Sequence, residues 1–272
     1  MSGRRHLAVS DPSVLSRIRK RLKSRRVPSV YPHPGPTHAG DEPIGLGGKS
    51  GALRAAIFGV NDGLVSNLSL IMGVTGANVS NRVVLVAGVA GLLAGAFSMG
   101  GGEYVSMRVQ RELFERLLHI EAHELATEPE EEHQELKEIY LRRGFPPDLA
   151  HRVTEVVMAD PKVALDTHAR EELGLDPEDL GSPWGAAISS FVMFSLGAGV
   201  PLLPFVIGSG TAAVLAAIAA SGTVLFAVGA AMSLLTGRPA WLSGGRMLLI
   251  GGTLAAITYA VGTLLHVGGA VG

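Results

Sequence analysis

Hydrophobic and polar positions along this chain alternate in long blocks rather than at short intervals. Five blocks are almost entirely apolar, and each is long enough to cross a bilayer as a helix, which takes about 20 residues. The blocks are roughly Ala52–Gly76, Val83–Met107, Trp184–Ile207, Thr211–Leu235 and Gly244–Val267. The pattern therefore predicts five transmembrane helices.

The second apolar block runs directly into a polar one. From Glu103 onward charged residues recur at helical spacing, and no Pro or Gly follows Gly102 until after Ala126. A single helix over Arg82–Ala126 would be about 67 Å long, roughly twice the thickness of the hydrocarbon core. We predict a membrane helix that continues into water as a polar stalk, residues 103–126.

The region between the second and third apolar blocks predicts a helical insert outside the membrane. Thr127–Glu130 has the spacing of a capping box, with Pro129 just inside a new helix. Helices are expected over residues 129–143, 147–159 and 161–174, where Pro or Gly marks the ends. A segment of about 75 residues is too long for a simple connecting loop.

Composition agrees with a membrane protein. Hydrophobic residues make up 47% of the 272 residues, charged residues 17%, and the mean hydropathy is +0.33. The absence of cysteine excludes disulfides and thiolate metal sites. No nucleophile–base constellation is present, and the glycine-rich segment 45–50 lacks the spacing of a phosphate-binding loop, so we expect neither an enzyme nor an ATP-driven pump.

Charge is distributed unevenly and predicts the orientation. Nine of the 23 Lys and Arg residues lie in residues 1–26, whereas 20 of the 24 Asp and Glu residues lie in residues 103–179. Basic residues concentrate in the N-terminus, the insert and the 236–246 loop, which the positive-inside rule places in the cytoplasm. With five spans, the C-terminus lies on the opposite side. We expect a multi-pass protein of the cell membrane.

These observations predict an all-α integral membrane protein with five transmembrane helices and a helical cytoplasmic domain inserted between spans two and three. Residues 1–49 are expected to form a disordered, basic, Pro- and Gly-rich cytoplasmic tail, or alternatively a surface helix on anionic lipid. Spans one and two fall in residues 50–107, the insert is residues 108–183, and the last three spans fall in residues 184–272. The bilayer is an expected partner, and nucleic acid is not.

Three candidate functional side chains lie within the predicted spans. Asp62 is in the first span, where a carboxylate costs about 2.5–3.5 kcal/mol on insertion scales. It would therefore face a pathway, cap a broken helix or pair with Arg54. Met99 and Glu103 lie four residues apart on one face of the second span, and a thioether with a carboxylate suits a divalent cation.

The insert carries paired acidic residues. Glu121 and Glu124 are three residues apart, as are Glu132 and Glu135, so each pair shares a helical face and its like charges repel unless a cation binds. A solvated acidic surface would give the same spacing. Nitrogen donors, which suit iron, manganese or zinc better than calcium, are available from His119, His123, His133 and His168.

Two membrane motifs resemble the vacuolar iron transporter family. They are Arg54-Ala-Ala-Ile-Phe-Gly-Val-Asn-Asp-Gly-Leu-Val-Ser66 and Ala90-Gly-Leu-Leu-Ala-Gly-Ala-Phe-Ser-Met-Gly-Gly-Gly-Glu-Tyr-Val-Ser106. The resemblance extends from about residue 50 to the end and includes Val200-Pro-Leu-Leu-Pro204. Only the N-terminal tail is unmatched.

The resemblance implies a homodimer that exchanges cytosolic Fe²⁺, and often Mn²⁺, for protons. Its pathway would lie at the dimer interface, lined by Asp62, Met99 and Glu103. The cytoplasmic domain would gather metal through the glutamates that match the family, which are Glu121, Glu124, Glu132, Glu135 and Glu172. Zn²⁺ and Co²⁺ are further candidate ions.

This chain departs from the plant pattern immediately before Glu172. Plant members carry two adjacent methionines there, whereas this chain has His168 and Ala169. Because His168 and Glu172 are one helical turn apart, we predict His168 as an additional metal ligand.

The expected function is proton-coupled export of divalent metal from the cytosol. The alternative is a membrane-anchored iron sensor or storage module, in which the insert binds metal and nothing crosses the membrane. The intramembrane Asp62 favours transport, because an anchor has no use for a carboxylate in the bilayer.

Overall fold

The structure is a computed structural model that describes residues 48–269, without the side chains of 48–50, 235, 236 and 266–269. The predicted disordered tail, up to residue 47, lies outside the described residues. Within them every regular secondary-structure element is a helix. The helices are α1 Gly48–Gly76, α2 Asn81–Thr127, α3 Pro129–Arg142, α4 Pro147–Met158, α5 Pro161–Glu171, α6 Pro183–Ile207, α7 Gly210–Thr236 and α8 Ala240–Gly269.

Five of the described helices, α1, α2, α6, α7 and α8, are long and apolar enough to cross a membrane. They correspond to the five apolar blocks, so the predicted all-α fold with five spans is confirmed. The three shorter helices, α3 to α5, lie between spans two and three, where the sequence predicts the insert.

Helix α2 is unbroken over 47 residues, about 70 Å at 1.5 Å per residue. Its stalk is reinforced by ion pairs one turn apart. Arg108 Nε lies 2.7 Å from Glu112 Oε1, and Arg111 Nε lies 2.8 Å from Glu115 Oε1. The hydrogen bond from Arg111 lowers the pKa of Glu115. The helix thus stays regular as it passes from apolar to charged sequence.

Helix α1 lies at the centre of the bundle and packs against α6 and α8 through glycines. A Cβ at Gly63 would overlap the carbonyl oxygen of Phe194, and one at Gly197 would overlap that of Val60. Small residues permit this close backbone approach, which supplies the van der Waals contact that holds membrane helices together. The α1–α6 contact flanks Asp62.

Helix α6 contains Pro201 and Pro204, which cannot donate backbone hydrogen bonds. Two asparagine amides from neighbouring helices bind carbonyls in the same region. Asn67 Nδ2 donates to Ala198 O over 2.7 Å, and Asn81 Nδ2 donates to Phe205 O over 3.0 Å. These bonds tie the proline-containing half of α6 to α1 and α2.

The insert forms a small core of its own, built from Leu136 and Tyr140 on α3 and Ala150 on α4. Burial raises the pKa of the Tyr140 hydroxyl. Pro is in the first turn of α3, α4 and α5, as predicted. Helix α5 contacts the stalk, so the insert folds back against α2.

Two local predictions in the insert differ from the structure. Thr127 does not cap α3, because it is the last residue of α2 and its hydroxyl donates back to His123 O over 2.8 Å. Helix α5 ends at Glu171 rather than at Gly174, because the N–H of Leu175 turns back to Ala169 O while Gly174 adopts a φ of +66°.

Candidate metal-binding site and membrane carboxylates

Three predicted ligands from three helices converge inside the insert. Glu121 comes from the stalk, Glu132 from the first turn of α3 and His168 from the last turn of α5. One ligand atom from each lies within 4.8 Å of the others, and all three side chains are buried. Two carboxylates are rarely buried together unless a cation or proton compensates their charge.

Hydrogen bonds fix the orientation of the His168 ring. Its Nδ1 lies 2.9 Å from the carbonyl oxygen of Ala164, one turn earlier, while Nε2 lies 3.2 Å from Glu132 O and 3.7 Å from Glu132 Oε2. A neutral imidazole carries a single proton. If Nδ1–H donates to Ala164, the lone pair of Nε2 faces the carbonyl and carboxylate oxygens of Glu132, and a cation bound there would ligate Nε2.

A second group of carboxylates adjoins the first and shares Glu132 with it. Ligand atoms of Glu132, Glu135 and Glu172 lie within 4.8 Å of one another. Glu135 and Glu172 are half-buried. We call the five side chains of both groups the glutamate–histidine cluster; its members are Glu121, Glu132, Glu135, His168 and Glu172.

The remaining predicted donors of the insert lie outside these two groups. Glu124 is half-buried on the stalk but does not join either triad. His119 and His123 are exposed on the stalk, and the His133 ring contacts that of His151 with centroids 5.6 Å apart. Of the four histidines proposed as donors, only His168 belongs to one of the two triads.

Asp62 lies in the middle of an unbroken α1. Because the helix continues on both sides, Asp62 does not cap a broken helix. Arg54 is not its partner either, since the ion pair of Arg54 is with Glu103. No ion pair of Asp62 occurs within the described residues, and its side chain is half-buried. A carboxylate without an ion pair inside a membrane-spanning helix is a candidate functional position.

Met99 and Glu103 each contact a residue of another helix. The hydroxyl of Ser190 on α6 lies 3.4 Å from Met99 Sδ, and Ser190 is fully buried. Arg54 Nη2 lies 4.0 Å from Glu103 Oε2. Arg54 is the first residue of the first membrane motif. The sequence does not indicate whether its ion-pair partner is Glu103 or Asp62.

Carboxylate oxygens with one imidazole nitrogen form a donor set that suits borderline divalent ions such as Fe²⁺, Mn²⁺, Co²⁺ and Zn²⁺. The fold and this cluster together define a multi-pass membrane protein whose insert carries a candidate metal-binding cluster.

Comparison with known proteins agrees with this class. A family model described as the VIT family matches residues 53–263, so this chain belongs to the VIT family. A vacuolar iron transporter of Acanthamoeba castellanii is 37% identical over 226 residues, which cover 80% of each chain. Vacuolar iron transporter 1 of Arabidopsis thaliana is 32% identical over 215 residues, covering 79% of this chain and 86% of that protein.

A vacuolar iron transporter of Toxoplasma gondii is 32% identical over 224 residues, covering 79% of this chain and 74% of that protein. The resemblance drawn from the two membrane motifs is therefore confirmed. Membership places the chain in a family of membrane transporters.

Proposed function

We propose that this protein is a proton-coupled transporter that exports Fe²⁺, and also Mn²⁺, from the cytosol. The observation that carries the proposal is Asp62, a carboxylate inside a continuous membrane helix with no ion pair among the described residues. A protein that only anchors or stores iron has no need for this costly group. The names of the relatives, which are vacuolar iron transporters, support iron as the transported ion.

The insert collects the metal on the cytoplasmic side. Its two triads share Glu132, so the cluster offers ligands for two neighbouring ions. His168 gives the triad with Glu121 and Glu132 a nitrogen ligand, which favours Fe²⁺, Co²⁺ and Zn²⁺ over Ca²⁺ and Mg²⁺. The stalk carries Glu121 at one end and Glu103 at the other, and thus connects the cluster to the membrane.

Asp62 and Glu103 couple metal to protons in this proposal. A carboxylate binds either a divalent ion or a proton, because the metal needs the deprotonated oxygen. Protons entering from the opposite side would release the metal, and metal arriving from the cytosol would release the protons. Met99, one turn before Glu103 on α2, adds a thioether that favours transition metals.

The working unit is proposed to be a homodimer. Phe58, Asp62 and Ser66 are spaced four residues apart on α1, and the other helices of the protomer leave this face uncovered: Phe58 is 56% exposed, and Ser66 is exposed. A carboxylate that faces lipid directly is far costlier than one that faces protein or a water-filled path. A second copy packed on this face would enclose Asp62.

Transport by the purified protein in liposomes tests the proposal. Fe²⁺ or Mn²⁺ is added outside, and a pH-sensitive dye inside reports counter-movement of protons. Metal uptake that depends on the direction of an imposed pH gradient is the expected result. Metal binding with no flux under any gradient would instead support the sensor or storage function.

A further inference from the structure

The ion pair between Arg54 and Glu103 joins the beginning of α1 to the junction of membrane and stalk on α2. The Glu103 side chain is 19% exposed and that of Arg54 is 69% exposed. Within the part of the chain that the structure describes, it is the one ion pair that either residue makes. The carboxylate is therefore largely covered, while the cation beside it reaches water.

The guanidinium of Arg54 keeps its proton at any physiological pH, so it is a permanent monovalent cation. A divalent ion bound to Glu103 would lie within a few ångströms of this charge and would be repelled by it. The arginine side chain is long and mostly solvated, and it can move aside without losing its hydration. Arg54 and the transported ion thus compete for one carboxylate.

We propose that Arg54 is a tethered competitor that sets the preference of Glu103 for divalent over monovalent cations. In the metal-free protein it neutralises Glu103. A hydrated K⁺ has no advantage in charge over the guanidinium and does not displace it, whereas a divalent ion does. When the metal moves on, Arg54 returns and prevents rebinding. Arg54 acts through Glu103, and the inference rests on the proposed role of Glu103 in the transport path.

The test measures Mn²⁺ uptake by liposomes in KCl and in N-methyl-D-glucamine chloride of equal ionic strength. In the parent protein, KM should be the same in both salts. In Arg54→Gln, KM should fall about twofold to fivefold in N-methyl-D-glucamine, the range typical of a partly exposed ion pair. It should then rise in KCl, because K⁺ can occupy the vacated position. Vmax should fall, since release is no longer assisted.

Two variants act as controls for charge and location. Arg54→Lys keeps the cation and should behave like the parent, and Arg82→Gln, at the other end of the membrane part of α2, should change neither KM nor its salt dependence. If Arg54→Gln does not assemble, Arg54→Met preserves the apolar stem. A KM of Arg54→Gln equal to that of the parent, or the same in both salts, would overturn the inference.

Glu103→Gln separates this inference from the proposed function. Loss of transport in Glu103→Gln together with parent-like kinetics in Arg54→Gln would refute the role of Arg54 and leave that of Glu103 intact. Transport at the parent rate in Glu103→Gln would instead remove Glu103 from the path.

Discussion

At the residue scale, the candidate functional residues are a few charged side chains in unfavourable surroundings. Asp62 lies within a helix that is apolar and long enough to cross a membrane, and Glu121 and Glu132 are buried side by side. Burying a carboxylate costs free energy unless hydrogen bonds, a cation or a proton compensate the charge. In the proposed function a bound cation or a proton adds to that compensation, so these positions are where substitutions should separate function from stability.

Replacing Asp62 should abolish transport without unfolding the protein. Asp62→Asn keeps the size of the side chain but removes the charge that a divalent ion needs, so metal flux into liposomes should fall to background. Asp62→Glu keeps the charge and should retain part of the flux. Size-exclusion elution like that of the parent checks folding. Parent-like flux in Asp62→Asn would refute the pathway assignment.

His168 should contribute to metal binding rather than only to packing. His168→Ala removes the nitrogen that faces Glu132, and metal affinity measured by calorimetry on the full protein should drop about tenfold or more. His151→Ala removes an imidazole from the surface of α4 and should have no effect. His168→Met should recover part of the affinity, because a thioether can also ligate. Affinity in His168→Ala equal to that of the parent would leave His168 as a packing residue.

At the scale of elements, helices bring the ligands together and glycines set the distances between membrane spans. Helix α3 contributes Glu132 and Glu135 on its inner face, while Glu130 and Glu131 of the same first turn are exposed. One helix therefore offers two acidic pairs in different environments, and this permits a matched comparison.

Changing Glu132 and Glu135 to Gln should weaken metal binding or reduce the number of bound ions. The control Glu130→Gln/Glu131→Gln removes the same total charge from the same helix, so it accounts for long-range electrostatics. Calorimetry with Fe²⁺ or Mn²⁺ should separate the two double variants clearly. Similar losses in both would mean that the acidic residues act only as a diffuse surface charge.

The packing of α1 against α6 should tolerate no side chain at Gly197. Gly197→Ala places a methyl group against the carbonyl of Val60, and overpacking of this kind typically costs about 1–3 kcal/mol. Gly199→Ala, two residues later on the same helix, meets nothing within 4 Å. Thermal unfolding in detergent should show a lower Tm for Gly197→Ala only. Equal Tm values would show that the helices can separate without cost.

At the scale of the whole molecule, the protomer leaves the Asp62 face of α1 open, and a second copy is the proposed cover. The chain has no cysteine, so a single introduced thiol reports on proximity without interference. Ser66→Cys, one turn beyond Asp62, should form an intermolecular disulfide under mild oxidation in membranes. Thr253→Cys, exposed on α8, is the control and should stay monomeric on a non-reducing gel. Cross-linking of Thr253→Cys alone would place the dimer interface on another face.

The sequence alone determined the fold class, because long apolar blocks and the Pro and Gly residues at their ends are local properties. Blocks of this length have no stable alternative to crossing the bilayer as helices. The uninterrupted α2 could likewise be foreseen from the absence of Pro and of any Gly after Gly102. The two membrane motifs were sufficient for the family.

The tertiary structure decided which side chains meet. Glu132 and His168 are 36 residues apart, and spacing within a helix could not show that α5 folds back against the stalk and brings them together. Nor could it pair Arg54 with Glu103 rather than Asp62. Local sequence fixes which face of a helix a side chain occupies, whereas contacts between helices depend on crossing angles and on where glycines allow close approach. For this reason the ligands were foreseen individually, and their grouping into two triads around Glu132 was not.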